Sequence, residues 1–266
     1  MRDVAVQTAK SAGGQRLHVL REYVQNEILA LIQKSGANLK LYFVGGTALR
    51  FLYRIPRYSE DLDFSAGPNW NPEEFRDEME EIRTGLALGG YHLSTTVKED
   101  RIVQKASFRF SQLLHDVGLS PHRNQNLFIS FEVDIRPPEG WSGERTIVNI
   151  VRPILIQHYD LRSLFTSKIA AIMTRPYPKG RDYYDLFWYI SRWKNLSPLP
   201  EMLTAAIVQK GKERIEKDLS EWKSALRRII SGADWKTLAR DVEPFLERAD
   251  DVRVFTKDNL LGLLSG

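Results

Sequence analysis

Apolar positions along the first part of the chain recur three and four residues apart. From Gln15 to about Ser35 these are Leu17, Val19, Leu20, Val24, Ile28, Leu29, Leu31 and Ile32. That is the period of a helix with one buried face, and Gly36 supplies its stop. Residues 1 to 14 are polar and small, end in Gly13-Gly14, and predict no element. The pattern then shortens. Leu39 to Val44 is an apolar run of strand length, broken by Gly45-Gly46. Thr47 to Tyr53 reads as a helix leaving that break. From Asp61 to Ser65, Leu62 and Phe64 alternate with Asp61 and Asp63, the period of a strand. Asn71-Pro72-Glu73-Glu74 joins an N-cap residue, a first-turn proline and early acids, so a helix is expected from there to about Leu88, closed by Gly89-Gly90.

Four strand-like segments follow: Tyr91 to Val97, Val103 to Phe110, Leu127 to Ile135 and Thr146 to Val151. In the third, Phe128, Ser130, Glu132 and Asp134 share one face, and Ile129, Phe131, Val133 and Ile135 the other. After about residue 157 the period becomes helical again, over 160–175, 182–193, 199–210, 213–231, 234–249 and 256–264. The expected fold class is therefore α/β (α+β): a mixed-sheet domain over residues 1–157, then a helical domain over 158–266. The charge-rich stretch from Lys210 to Ile230 mixes both signs and reads as a solvated helix face.

Composition narrows the function classes. The 266 residues are 42% hydrophobic and 27% charged, an ordinary globular balance. There is no cysteine, which excludes disulfides and thiolate metal sites and fits a reducing, cytoplasmic setting. No stretch has the length and apolarity of a membrane helix, so no membrane partner is expected. A net charge of +4 permits a nucleic-acid partner without demanding one. The five histidines lie in no metal-like spacing.

Candidate chemistry sits at the carboxylates. Asp61 and Asp63 point to one side of a strand, where they repel each other, so a positive charge is expected between them. A hard divalent cation would serve, since Mg²⁺ takes one or two carboxylates together with substrate phosphates. Gly45-Gly46, where a strand gives way to a helix, lets a phosphate approach backbone amides, and Thr47 adds a hydroxyl. Glu132 and Asp134 lie on another strand, and either could supply a third carboxylate. Two metals among three carboxylates suit an in-line transfer. Lys168 could reach a triphosphate as a point charge, and Arg181 could do the same or pair with an acid. Asp182 and Asp185 fall on one helix face. The aromatic run Tyr183, Tyr184, Phe187, Trp188 and Tyr189 reads first as core, with Tyr183 or Tyr184 exposed for base stacking as the alternative.

Taken together, GGTALRFLYRIPRYSEDLDFS (residues 45–65) resembles the nucleotidyltransferase signature of the AbiEii/MenT-type toxin family, within the polymerase-beta-like superfamily. The matching positions are Gly45 to Leu49, Arg57, Ser59, Asp61, Leu62, Asp63 and Phe64. A second match lies within residues 160–189, at Lys168, Ala171, Arg175, Arg181, Asp182, Asp185 and Leu186. The resemblance covers roughly residues 40–190. FEVDIR (131–136) resembles the family's strand with a carboxylate before an arginine; that pattern favours Glu132, while alternation permits Asp134 equally.

The resemblance implies a polymerase-beta-like core and transfer of a nucleoside monophosphate from an NTP to an acceptor hydroxyl, with pyrophosphate released. It implies Mg²⁺ or Mn²⁺ on Asp61 and Asp63 with Glu132 or Asp134. It implies NTP contacts from Gly45, Gly46, Thr47, Ser59, Lys168 and Arg181, and catalytic roles for Asp61, Asp63, Lys168 and Asp182. It further implies a toxin of a bacterial toxin–antitoxin or phage-defence system, with a cognate antitoxin encoded elsewhere. Some family members are similar to enzymes that modify the tRNA 3′ end and so stop translation, which makes tRNA the expected acceptor. A small-molecule or protein acceptor is the rival reading, and a non-catalytic nucleotide-binding protein a more distant one. An aminoglycoside-type acceptor would call for an acidic site, whereas Arg175, Lys179, Arg181, Arg192 and Lys194 outnumber Asp182 and Asp185.

Overall fold

A computed structural model describes residues 1–100, 102–211 and 221–265. The chain divides into two compact units. The first comprises Met1–Arg54, Tyr58–Arg136 and Glu144–His158; the second comprises Ile55–Arg57, Pro137–Gly143 and Tyr159–Gly266. The second unit thus draws two short segments from the sequence of the first, which a single cut at 157/158 does not contain.

The first unit begins with two helices, α1 (Arg2–Lys10) and α2 (Arg16–Ser35). The sequence predicts no element for residues 1–14, and α1 corrects that. Its apolar face is only Ala5, Val6 and Ala9, all buried, too small to mark a helical period. Strand β1 (Leu41–Val44) runs directly into helix α3 (Gly45–Tyr53), so the glycines expected as a break are the first turn of the helix. Then come β2 (Leu62–Ala66), α4 (Phe75–Leu88), β3 (Leu93–Glu99), β4 (Val103–Phe110), the one-turn α5 (Leu113–Asp116), β5 (Leu127–Asp134), β6 (Gly143–Asn149) and β7 (Pro153–Tyr159). Asn71 accepts from the Glu73 amide, and a 3₁₀ turn over Pro72–Glu74 precedes α4.

These strands form one mixed seven-stranded sheet in the order β3-β4-β5-β2-β1-β7-β6. β2 is antiparallel to β1 and parallel to β5, and β1 is parallel to β7. The strand β7 was not visible in the sequence. It opens on a proline, and its burial pattern does not alternate, so it lacks both strand marks. One sheet face carries the core: Phe43, Phe64, Phe131, Ile129, Val133 and Phe108 are all nearly or wholly buried. Phe64 stacks on Phe131, and Phe75 of α4 lies against Phe131 from the covering layer.

The second unit is mainly helical: α6 (Leu161–Thr174), α7 (Gly180–Arg192), α8 (Pro200–Gln209), α9 (Trp222–Gly232), α10 (Trp235–Val242) and α11 (Lys257–Leu263). The first part of the helix expected over 213–231, with its charged residues up to 220, lies outside the described residues. The helix expected over 234–249 ends at Val242, where Pro244 forces a 3₁₀ turn. Gly180 opens α7 where the chain presses on α10: a Cβ there would overlap the Leu238 carbonyl oxygen. Tyr183 and Tyr184 are 2% and 4% exposed, packed edge-on to Trp235 and Phe255, so neither offers a stacking face. Among the described residues, no helix is long and apolar enough to cross a membrane.

Candidate active site

The β1–α3 junction and the β2–β5 pair carry the first unit's candidate residues. Val44, at the N-cap of α3, makes no side-chain cap bond. Gly45 has φ +77°, which favours glycine, and a Cβ on it would overlap Asp63 Oδ2. The helix therefore begins in contact with the Asp63 carboxylate, an anion at the positive end of the helix dipole. The Thr47 hydroxyl, which the sequence offered to a phosphate, is fully buried and donates to the Asp61 backbone carbonyl. It braces the carboxylate segment from beneath. Ser59 is also buried, and its backbone carbonyl, like that of Glu60, accepts from the Gln25 amide on α2. Tyr58 beside it stacks on His18 at 4.5 Å, with the Arg50 guanidinium 4.7 Å from its ring. The segment leading into the aspartates is thus held by α2 and α3.

Register separates the two candidates for a third carboxylate. In the parallel β2–β5 pair, Asp63 lies opposite Glu132, while Asp134 lies opposite Ser65. Asp134 accepts from the Arg136 amide at 2.9 Å and so caps the end of its strand. Glu132 accepts from the Ser130 hydroxyl at 3.1 Å and is ion-paired with Lys105, its partner residue on β4. Lys105 has its pKa raised, first by the Glu132 hydrogen bond, against partial burial, and then by attraction to Glu132, Asp61 and Asp63. Lys105 therefore brings a positive charge to the Glu132 carboxylate, within electrostatic reach of Asp61 and Asp63. Sequence reasoning missed it, because only the β4–β5 register brings residue 105 to residue 132.

Among the described residues, no three His, Asp or Glu side chains are gathered into a ready cage. The donor set nevertheless fits a hard cation: Asp61 and Asp63 lie two residues apart, Glu132 is Asp63's neighbour in register, and the bare Gly45 lets the Asp63 carboxylate lie against the start of α3.

In the second unit, the candidate charges meet one another. The Lys168 ammonium lies 2.7 Å from Asp182 and 2.8 Å from Asp185, with its side chain only 12% exposed. Arg175 also pairs with Asp182. Arg57 is 2% exposed and grips the fully buried Asp185 in a two-pronged pair, 2.5 and 2.6 Å. Burial works to lower the pKa of Lys168, but Asp182 and Asp185 outweigh it and hold it raised. Burial works to raise the carboxyl of Asp182, and Lys168 and Arg175 outweigh it in turn. Lys168 is thus a buried cation with two carboxylate partners, not a solvated one. The Arg181 guanidinium lies over the Phe245 ring at 4.3 Å.

Comparison with known proteins gives a family. A family model described as "Nucleotidyl transferase AbiEii toxin, Type IV TA system" matches residues 27–256. A search of curated protein sequences finds no match. Among solved structures, JHP933 from Helicobacter pylori superposes with a TM-score of 0.58 at 17% identity, covering 92% of this chain and 89% of its own. MenT4, a nucleotidyltransferase toxin from Mycobacterium tuberculosis, gives a TM-score of 0.55 at 16% identity, covering 99% of both chains. At these identities the structural likeness speaks to the fold.

Proposed function

Because the chain belongs to the AbiEii nucleotidyltransferase toxin family of type IV toxin–antitoxin systems, we propose that it transfers a nucleoside monophosphate from an NTP to the 3′-terminal hydroxyl of tRNA and thereby blocks translation. The observation that carries the chemistry is the pairing of Asp63 with Glu132 in register, with Gly45 bare against Asp63. In this reading Asp61, Asp63 and Glu132 hold Mg²⁺ or Mn²⁺, and Asp134 stays a strand cap. The ion, when bound, supplies charge neutralisation at the phosphates and makes the acceptor hydroxyl more acidic.

The chain's own groups do the rest. The first-turn amides of α3 at Gly45 and Gly46 receive a phosphate oxygen. The buried bonds from Thr47 and Gln25 fix Asp61 and Ser59 beside it. The acceptor oxygen bonds to the α-phosphorus, the α–β bridging P–O bond breaks, and pyrophosphate leaves. The hydroxyl proton passes to a carboxylate oxygen of Glu132. Lys168 and Asp182 act within their own ion-pair cluster, as positioning residues for α6 and α7. A separately encoded antitoxin opposes the activity, and the substrates place the reaction in the cytoplasm.

The test is direct. Purified protein is incubated with Mg²⁺ and each labelled NTP, with and without total bacterial tRNA, beside Asp63→Ala. Label on tRNA with the unaltered protein, lost in Asp63→Ala, is the expected result. Label that never reaches tRNA while pyrophosphate is released into another product overturns the acceptor assignment.

A further inference from the structure

The sheet face opposite the core is open across β3, β4 and β5. On β4 and β5 the residues facing the core (Ala106, Phe108, Ile129, Phe131 and Val133) are buried. Their alternates point the other way, and the register continues across four strands. Lys98 of β3 lies opposite Lys105 of β4, Lys105 opposite Glu132 of β5, and Glu132 opposite Asp63 of β2. Four residues back along β5, Phe128 lies opposite Arg109. Phe128 is 53% exposed, and Lys98 and Arg109 are exposed too.

Three features of this face point to one kind of ligand. First, Lys98 and Lys105 are directly opposed like charges, an arrangement that costs stability in a sheet. Glu132 offsets part of that cost at Lys105, and an anion at Lys98 would offset more. Second, the open face of β3 and β4 holds no acid at all; Glu99 belongs to the other face, where it pairs with Arg76 of α4. Third, the aromatic ring and the cations lie on the same face as the carboxylates of the candidate site. A single exposed aromatic is ordinary on a protein surface. One set against a cross-strand arginine, four residues along the strand from a catalytic carboxylate, is a stacking platform beside phosphate contacts.

We propose that the open face of β3, β4 and β5 binds the single-stranded 3′ end of the acceptor nucleic acid, with Phe128 stacking on a base and Arg109 and Lys98 meeting its phosphates, so that the terminal hydroxyl reaches Asp63 and Glu132. The proposal rests on the nucleotidyl-transfer reading given above. The four residues from Phe128 to Glu132 span about 13 Å of extended strand. That length suits the last two or three nucleotides, as on other sheet platforms with exposed aromatics. The sheet reads stacking and charge and not base edges, so the platform fixes the class of acceptor and the site of attack.

The experiment uses the full chain and a fluorescently labelled single-stranded oligoribonucleotide with the 3′ sequence of tRNA, followed by anisotropy, together with transfer assays on total tRNA. Phe128→Ala is expected to weaken binding about tenfold, the usual loss for one stacked base, and to raise the acceptor KM. Phe128→Trp, which keeps a ring, restores both, and a merely destabilised protein would not show that rescue. Lys98→Ala with Arg109→Ala is expected to flatten the salt dependence of binding by about two phosphate contacts. Unaltered tRNA labelling and binding in all three variants overturns the platform and leaves the transfer reaction standing. Protein that neither binds the oligonucleotide nor labels tRNA, yet modifies another acceptor, overturns both.

Discussion

Gly45 and Asp63 meet at a place with room for one side chain only. Replacing Gly45 by alanine adds a methyl group where Asp63 Oδ2 now lies, at a φ of +77°. Such a substitution at positive φ costs on the order of 1 kcal/mol or more. Its larger effect falls on the carboxylate, which must turn away. Gly45→Ala is expected to weaken Mn²⁺ binding, followed by electron paramagnetic resonance, and to abolish most of the transfer activity while a folded protein remains. Lys105 poses the opposite case. It neutralises Glu132 and attracts Asp61 and Asp63, so it occupies electrostatically the place a metal would take. Lys105→Met is expected to tighten divalent-cation binding in the nucleotide-free protein, measured by calorimetry, with a stability loss of no more than about 1 kcal/mol because the pair is half exposed. Unchanged cation affinity would show that lysine and metal do not compete. At this scale the sequence was informative about identities and poor about partners. The alternation of Asp61 and Asp63 demanded a positive charge, but no local pattern could name Lys105, because its meeting with Glu132 is set by strand register.

Helices α6 and α7 bring Lys168, Asp182 and Asp185 together, and with the buried Arg57 and the exposed Arg175 they form an alternation of charges. The spacing of Asp182 and Asp185 on one helix face was legible in the sequence; that Lys168 would be enclosed between them was not, because burial depends on packing. Removing one member strands another. Arg57→Ala leaves Asp185 buried without its guanidinium and should cost about 3–5 kcal/mol in chemical denaturation. Arg57→Lys should recover only part, since lysine cannot make the two-pronged contact. The pH dependence follows from the directions of the shifts. Asp182 has a folded pKa below its ordinary 3.8, so its contribution is present above that value and is lost as pH falls through the lower folded value. Lys168 has a folded pKa above its ordinary 10.5, so its contribution is present below that value and is lost as pH rises through the higher one. Stability from this cluster should form a plateau between roughly pH 4 and pH 10 and fall at both ends. Lys168→Met with Asp182→Asn, which keeps the shapes and removes both charges, should flatten both edges in thermal melts across pH.

Across the whole molecule, the change from strand period to helical period near residue 157 correctly marked where the chain becomes helical, since α6 begins at Leu161. The two units do not follow that line. Ile55–Arg57 and Pro137–Gly143 lie early in the sequence yet belong to the later unit, and a three-residue excursion leaves no periodicity to read. The Arg57 backbone bridges to Leu246, and the Glu247 amide donates to Pro56. Residues 158–266 expressed alone would keep Lys168 but lack Arg57, the two-pronged partner of Asp185. That fragment is expected to show no cooperative unfolding transition, and mixing it with residues 1–157 should restore one only if the two halves reassemble.

The placement of Arg57 has a bearing on inheritance. A module acquired by joining two genes end to end carries its own internal ion pairs. Here the arginine that neutralises a buried acid of the helical unit is encoded four residues before Asp61, inside the signature of the other unit. A recombination event that exchanged the helical half for a foreign one would have to supply a matching acid at the position of Asp185, or leave Arg57 buried without its partner. The two halves of this gene are therefore expected to diverge together, with charge-swapping changes at 57 and 185 arising as pairs.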